Sequence, residues 1–222
     1  ACGDPFTAIY TIQGDAAAST YVGQTVTTEG VVVGDFQVGG KDGFFIQDEI
    51  GDADTTTSDG IFIYYSSAPD VNVGDKVRLI GSVSEYFGLT QITGSAMQIC
   101  STENTIEPLE LTLPFEDTDH EDLEGMLVTF PQALVISEYF NFDRYGEIVL
   151  TNGRQSTPTA VIEPDAAAYA AMIADYQLNR IVLDDAQTAQ KPPYLPHPDV
   201  PRYAQGTLVS ATLPFHLFPA GD

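Results

Sequence analysis

The sequence predicts a mostly β protein, and three features of its composition support that prediction. The chain has 222 residues, of which 43% are apolar, so it is long enough to bury one large or two small cores. Its 11 Tyr and 12 Phe, with abundant Val, Ile and Thr, favour strands. Its 19 Gly and 14 Pro supply turns between them.

Five strands are predicted in the first hundred residues. In chain order they span residues 24–36, 43–48, 60–65, 73–88 and 89–99. Gly30 and Gly34 would let the long first strand bend or bulge. The strand count and the longer connection between the third and fourth strands match an OB-fold barrel, with a five-strand sandwich as the alternative. We therefore expect an OB-like β-barrel unit over residues 1–103.

A second β unit is expected over residues 123–222, after an acidic linker at residues 104–122. Glu124-Gly125 precedes an apolar strand there, as Glu29-Gly30 does in the first unit. This echo predicts two OB-like β-barrel units, and it leaves open whether the second barrel is complete.

The tetrapeptide Ser-Glu-Tyr-Phe occurs twice, at residues 84–87 and 137–140. The first copy ends the fourth predicted strand, whereas the second follows the first strand of the second unit. The two copies therefore occupy different strands, and a chance match is the alternative to a true repeat.

One short helix is predicted near residues 164–177, because the segment is rich in Ala and Asp165 can cap its start. Tyr169, Ile173 and Tyr176 recur at helical spacing and are expected to face the core. A strand at residues 180–185, a proline-rich stretch and a final strand near residues 207–215 follow.

The charge is strongly acidic, with 32 Asp and Glu against 8 Lys and Arg and a net charge of −24. Such a chain repels nucleic acid and anionic bilayers unless cations intervene. Cation binding is one explanation of the acidic composition, and solubility in a salty medium is the alternative. No run approaches the roughly 18 apolar residues of a membrane span, so no membrane partner is expected. A start without Met fits export.

Cys2 and Cys100 are the two cysteines, and they suit either one disulfide or two buried thiols. We favour the disulfide, because export makes it possible and Cys100 lies just beyond the fifth predicted strand. It would join the N-terminus to the end of that strand.

A calcium site is one interpretation of the loop between the second and third strands. Asp48, Asp52, Asp54 and Asp59 offer oxygen ligands, which Ca²⁺ prefers. The loop lacks the glycine and terminal Glu of an EF-hand, so a solvated loop with Asx turns is the alternative.

Aromatic residues on the predicted barrel strands suggest a stacking surface for single-stranded nucleic acid. We assign Phe45, Tyr64 and Tyr86 to stacking and Lys76 and Arg78 to phosphate contact. Packing in the core and at the rim is the alternative for the aromatic residues. No nucleophile-elbow, phosphate-loop or dinucleotide-binding motif is present, so no catalytic residue is assigned.

Long segments of the chain resemble the N-terminal, non-catalytic half of secreted bacterial nucleases of the ExeM/NucH type. The likeness runs from about Ile9 to Asp185 and keeps the order of its motifs, which include "VTTEGVVVGDF", "GFFIQ", "VGDKVRLIGSVSEYFGLTQI", "LEGMLVTFP" and "LNRIVLDD". In that family an OB-like region precedes a metal-dependent catalytic domain.

The resemblance implies a non-catalytic, nucleic-acid-binding or substrate-positioning region of an extracellular nuclease. The family's catalytic metal motifs have no counterpart here, so the chain is expected to hydrolyse no phosphodiester by itself and to work with a separate catalytic domain. DNA or RNA would be its partner, assisted by cations. The alternative is a self-assembling or partner-binding extracellular structural module that forms homo-oligomers through an exposed β edge.

Overall fold

The computed structural model describes residues 1–116, 120–163, 165–184, 188–191, 208–209 and 215–216. The chain divides into two compact units. The first contains Ala1–Leu109, Asp119–Val128 and Pro214–Asp222, and the second contains Glu110–Thr118 and Thr129–Leu213. The predicted mostly β fold is confirmed. Residues 104–109 and 120–128 group with the first unit, so the observed boundaries differ from the predicted ones.

Up to Ser101, the first unit, called the barrel unit below, contains one short helix and five strands. In chain order these are α1 (Ile9–Gln13), β1 (Thr25–Phe36), β2 (Gly43–Gln47), β3 (Gly60–Tyr64), β4 (Lys76–Tyr86) and β5 (Leu89–Ser101). Each observed strand overlaps a predicted one, because apolar β-branched and aromatic runs between Gly-rich turns are a local signal.

The five strands close into a barrel in the order β1-β2-β3-β5-β4. All neighbouring strands are antiparallel except β3 and β5, which pair in parallel. This is the five-stranded arrangement of an OB fold and not a sandwich. The register of β1 against β2 shifts between Val32 and Gly34, which places a bulge where the sequence predicted one.

The barrel has an apolar interior and a second apolar cluster on its outer surface. Side chains alternate along each strand, so Phe44 and Ile61 point inward while their neighbours Phe45 and Phe62 point outward. The interior also contains Ile9 and other buried residues of α1 and the strands, namely Ile12, Val26, Val32, Ile46, Ile63, Val71, Val77, Leu79, Val83 and Ile92. The outer cluster consists of Val33, Phe45, Phe62, Leu89 and Leu127, with Phe36 and Ile106 packed against it.

The N-terminal segment is fastened across β1, β4 and β5. Cys2 and Cys100 form a disulfide with a Cα–Cα distance of 5.7 Å, which confirms the predicted link. The N–H of Gly3 donates to Glu29 Oε1 at 2.9 Å, and Arg78 donates to the carbonyl of Asp4 at 2.8 Å. The segment therefore has both covalent and polar attachments to the barrel.

The rest of the chain forms short strands and helices. In chain order these are β6 (Leu109–Glu110), a 3-10 turn (Glu121–Leu123), β7 (Leu127–Thr129), β8 (Leu134–Glu138), α2 (Phe142–Tyr145), β9 (Ile148–Thr151), a second 3-10 turn (Pro158–Ala160), α3 (Ala166–Leu178), β10 (Ile181–Leu183), β11 (Leu208–Val209) and β12 (Phe215–His216). One sheet has the order β10-β9-β8-β11 and the other β12-β7-β6. In the described residues the four-stranded sheet is open, with β10 and β11 at its edges.

Helix α3 confirms the predicted helix but not its predicted burial. Asp165 caps it, accepting hydrogen bonds from the N–H groups of Ala167 and Ala168 at 2.8 and 2.9 Å. None of its residues is fully buried, and Tyr169 is exposed. The expected core stripe was wrong, because apolar spacing sets which residues share a face but not what that face contacts. Among the described residues, no helix has the length and apolar character needed to cross a membrane.

Candidate functional site

The hairpin between β4 and β5 presents the most exposed aromatic pair of the barrel unit. Tyr86 and Leu89 are paired, leaving Phe87 and Gly88 as a two-residue turn. The side chain of Phe87 is 85% exposed and that of Tyr86 is 60% exposed. Their rings meet edge to face with centroids 4.8 Å apart. The tip therefore offers a preformed aromatic surface to a ligand.

The conformation of Phe87 is unfavourable for its residue type. Its φ is +52° and that of Gly88 is +81°, so both turn residues lie in the left-handed region. Hairpin turns of this kind favour Asn, Asp or Gly at both positions, and a bulky side chain there costs about 1–2 kcal/mol. Unfavourable backbone conformations of this kind cluster at functional sites. An exposed Phe at this position makes the hairpin tip a candidate contact site.

Of the three residues predicted to stack on bases, Tyr64 and Tyr86 are accessible and Phe45 is not. The Phe45 ring is fully buried, 4.9 Å from the Phe62 ring and 5.8 Å from the Phe36 ring. The assignment of Phe45 to an exposed platform was therefore wrong. It does lie on the outer face of the barrel, but other residues of the chain cover it.

Both predicted phosphate-binding cations are paired with carboxylates. Arg78 Nη1 lies 2.6 Å from Glu29 Oε1, where both side chains are largely buried, and Lys76 Nζ lies 2.6 Å from Glu49 Oε2. Burial alone would raise the pKa of Glu29, but its hydrogen bonds from Arg78 and the Gly3 N–H hold that pKa below its usual value. Arg78 pairs with Glu29 and binds carbonyls of the N-terminal segment. Its assignment to phosphate contact was therefore wrong.

Two carboxylates of the acidic loop accept hydrogen bonds from the loop itself. Asp52 Oδ1 accepts from the N–H of Asp54, and Asp54 Oδ1 accepts from the N–H and hydroxyl of Thr56, which are Asx turns. Burial and the nearby Asp52 charge raise the pKa of Asp59. In the described ranges, no group of three or more His, Cys, Asp or Glu is arranged to hold a metal ion. The calcium site stays a prediction.

Asp48 supports the start of helix α1. Its Oδ2 accepts hydrogen bonds from the N–H groups of Ile9 at 3.0 Å and Tyr10 at 3.4 Å, which have no partner within the helix. Burial raises the pKa of Asp48 to about 7, and the charges of Asp59 and Asp52 add to this effect against the two hydrogen bonds. Asp48 thus anchors α1 as a largely protonated acid below neutral pH.

We expect Asp48→Asn to flatten part of the pH dependence of stability. The folded-state pKa of Asp48 lies above its ordinary value of 3.8, so the wild-type chain loses stability as pH rises from about 4 to about 7. The variant should remove on the order of 1–3 kcal/mol of that loss, measured by urea unfolding at a series of pH values. Asp54→Asn is the matched control, since this exposed carboxylate has a lowered pKa. An equal effect of both variants would contradict the role given to Asp48.

A buried carboxyl that the sequence analysis did not single out lies on the segment just before β7. Glu124 is only 3% exposed, and its Oε1 accepts from the N–H of Thr90 at 2.9 Å and from Gln13 Nε2 at 3.3 Å. Within the described part of the chain, its Oε2 has no hydrogen-bond partner. Burial raises the pKa of Glu124 to about 8, and the charges of Glu121 and Glu85 contribute. The only sequence signal was the Glu-Gly echo.

The two Ser-Glu-Tyr-Phe copies end different strands but share one property. The first ends β4 and the second ends β8, so they are not equivalent positions of a repeated barrel. In each copy the final Phe is exposed, by 85% at Phe87 and 87% at Phe140. Phe140 is therefore a matched control for Phe87.

No protein-family model matches the chain, and no curated protein sequence matches it.

Proposed function

We propose that this chain is a non-catalytic, nucleic-acid-binding region of an extracellular nuclease and that it contacts single strands through the tip of the β4–β5 hairpin. The observation that carries the proposal is Phe87, an exposed aromatic residue in a backbone conformation that favours Asn or Gly. OB folds bind oligonucleotides with the loops at this end of the barrel and with the adjacent strand face. The sequence resemblance and the disulfide are consistent with export.

A chain with a net charge of −24 needs a source of affinity other than a basic groove. Stacking of bases on aromatic side chains contributes about 1–3 kcal/mol per base and tolerates any sequence. Tyr86 and Phe87 supply that surface, while Lys76 and Arg78 already neutralise carboxylates of the barrel. Binding should therefore depend weakly on monovalent salt and increase when Ca²⁺ bridges carboxylates to phosphates.

We expect Phe87→Asn to weaken binding of single-stranded DNA while stabilising the fold. The substitution removes one stacking ring, so affinity for a labelled oligothymidylate should fall by roughly 5- to 100-fold in fluorescence anisotropy titrations with Ca²⁺. Asn tolerates the left-handed turn conformation, so the free energy of unfolding should rise by about 0.5–1 kcal/mol. A merely structural role for Phe87 predicts no such opposite changes.

Phe140→Asn provides the control, since it removes an equally exposed Phe from the second Ser-Glu-Tyr-Phe copy. It should leave oligothymidylate affinity unchanged. Equal affinities for wild type and Phe87→Asn would contradict the hairpin contact. No binding by the wild type with or without Ca²⁺ would reject nucleic-acid binding and favour the partner-binding alternative.

A further inference from the structure

The outer face of β1, β2 and β3 is aromatic but covered by another part of the barrel unit. Phe45 and Phe62 lie side by side on this face, with Val33 and Leu89 beside them. Leu127 completes the cluster, and it belongs to residues 121–128, which we call the strap. Leu127 of the strap, together with Phe36 and Ile106, thus covers a surface that would otherwise be an exposed apolar patch.

Side-chain hydrogen bonds hold the strap against the barrel. Gln47 Oε1 accepts from the N–H of Leu127 at 2.9 Å, and the Ser58 hydroxyl donates to the carbonyl of Glu124 at 2.6 Å. The Glu124 carboxyl accepts from the N–H of Thr90 and from Gln13. Leu127 adds apolar packing to these hydrogen bonds. None of the hydrogen bonds belongs to the strand pairing that closes the barrel, so the strap can release without opening the barrel.

The backbones of strap and barrel touch at two glycines. Gly125 has a φ of +69°, and a Cβ at Gly60 would lie 2.5 Å from the carbonyl carbon of Gly125. A side chain at Gly60 would therefore force the strap away from β3. This contact offers a way to open the strap that leaves its charged groups unchanged.

Glu124 is the one ionisable group among these attachments. The groups that contact its carboxyl are the Gln13 amide of α1 and the Thr90 N–H of β5, and both are neutral. Ser58, just before β3, is also neutral and contacts the backbone carbonyl of Glu124. The charged groups that act on it are Glu85 of β4 and Glu121 of the strap itself, and both are acidic. An ionised Glu124 would leave a buried negative charge beside like charges, whereas release of the strap would return it to water.

We propose that the strap is a pH-controlled cover, held closed by the neutral carboxyl of Glu124 and released when that carboxyl ionises, so that the aromatic face of Phe45 and Phe62 becomes exposed. The inference concerns a different surface from the β4–β5 hairpin tip and does not depend on the proposed function.

Linkage sets the size of the effect. The pKa of Glu124 is about 8 in the closed state, against an ordinary value of 4.5 that the released strap would restore. Between these two pH values the ratio of closed to open molecules falls by up to tenfold per pH unit, and it is constant outside them. The cover is therefore tightest in acid and loosest above pH 8.

Two single-cysteine reporters test the cover, since both native cysteines are in the disulfide. Val33→Cys places a thiol under the strap, and Val77→Cys places one inside the barrel, where only global unfolding exposes it. Alkylation rates are measured from pH 5 to 9 in the wild-type and Glu124→Gln backgrounds. Dividing the alkylation rate in one background by the rate in the other cancels the intrinsic pH dependence of the thiol.

For each reporter, we divide the alkylation rate in the wild-type background by the rate in the Glu124→Gln background. For Val33→Cys this ratio should rise with pH, by as much as tenfold per pH unit, until about pH 8. For Val77→Cys it should rise less. Gly60→Ala should speed Val33→Cys alkylation at pH 6 and leave Val77→Cys alkylation unchanged. Equal rates for the two reporters at every pH, or the same pH dependence in the Glu124→Gln background as in the wild type, would overturn the proposal. Oligothymidylate is absent throughout, so failure here is separate from failure of the hairpin contact.

Discussion

Replacing Cys2 and Cys100 together by serine is expected to lower the free energy of unfolding of the barrel unit by about 4–5 kcal/mol. The disulfide joins residues 98 positions apart, and closing a loop of that length removes a large conformational entropy from the unfolded chain. It also holds the N-terminal segment whose carbonyls accept from Arg78. Denaturant unfolding of the oxidised wild type and the double variant measures the difference.

The reduced wild-type chain is the control for this prediction. It keeps both sulfur atoms and should match the serine variant to within about 0.5 kcal/mol, since only the cross-link differs. A loss below about 1 kcal/mol in both cases would show that the N-terminal segment contributes little to the folded barrel.

Phe45→Ala is expected to destabilise the barrel unit by about 3–5 kcal/mol, the usual cost of removing a buried Phe ring. Phe45 is fully buried against Phe62 and Phe36, so the loss combines buried apolar area with a cavity under the strap. Thermal and urea unfolding measure it. If Phe45 were an exposed stacking residue, as the sequence first indicated, its replacement by Ala would destabilise the fold far less.

Phe87→Ala provides the comparison, because it removes the same ring from a position that is 85% exposed. Its effect should stay within about 0.5 kcal/mol. A large loss of stability in Phe45→Ala and a small one in Phe87→Ala would show that the first ring packs in the fold and that the second is free to contact a ligand. Similar destabilisation by both would contradict the placement of the two rings.

Predictions succeeded where the signal was local. The five barrel strands were found because each is an apolar run bounded by turn residues, and the helix was found because Asp165 caps an Ala-rich segment. The disulfide was favoured over two buried thiols because export makes it possible and Cys100 lies just beyond the fifth predicted strand, and it is confirmed. No long-range contact had to be known for the strands or for the helix.

Burial on the outer face could not be predicted in the same way. Every residue of β2 is buried, so the alternation that distinguishes a covered face from an exposed one is lost. Leu127 packs against the cluster that contains Phe45. Its N–H donates a hydrogen bond to Gln47, which lies 80 residues earlier in the chain. Phe87, the contact that we propose, was not assigned from the sequence because the argument for it rests on its backbone conformation, which depends on the register of β4 against β5.

The two Glu-Gly pairs illustrate the division between local pattern and tertiary contact. Sequence alone determined that Glu29 and Glu124 each stand before an apolar run; in the structure Glu29 lies within β1 and Glu124 lies just before β7. Only the folded chain set the pKa values of the two acids. Glu29 forms an ion pair with Arg78, and its pKa is lowered. Glu124 is buried beside Glu85, and its pKa is raised. The physical reason is that strand formation depends on neighbouring residues, while the charge state of a buried acid depends on partners brought from distant parts of the chain.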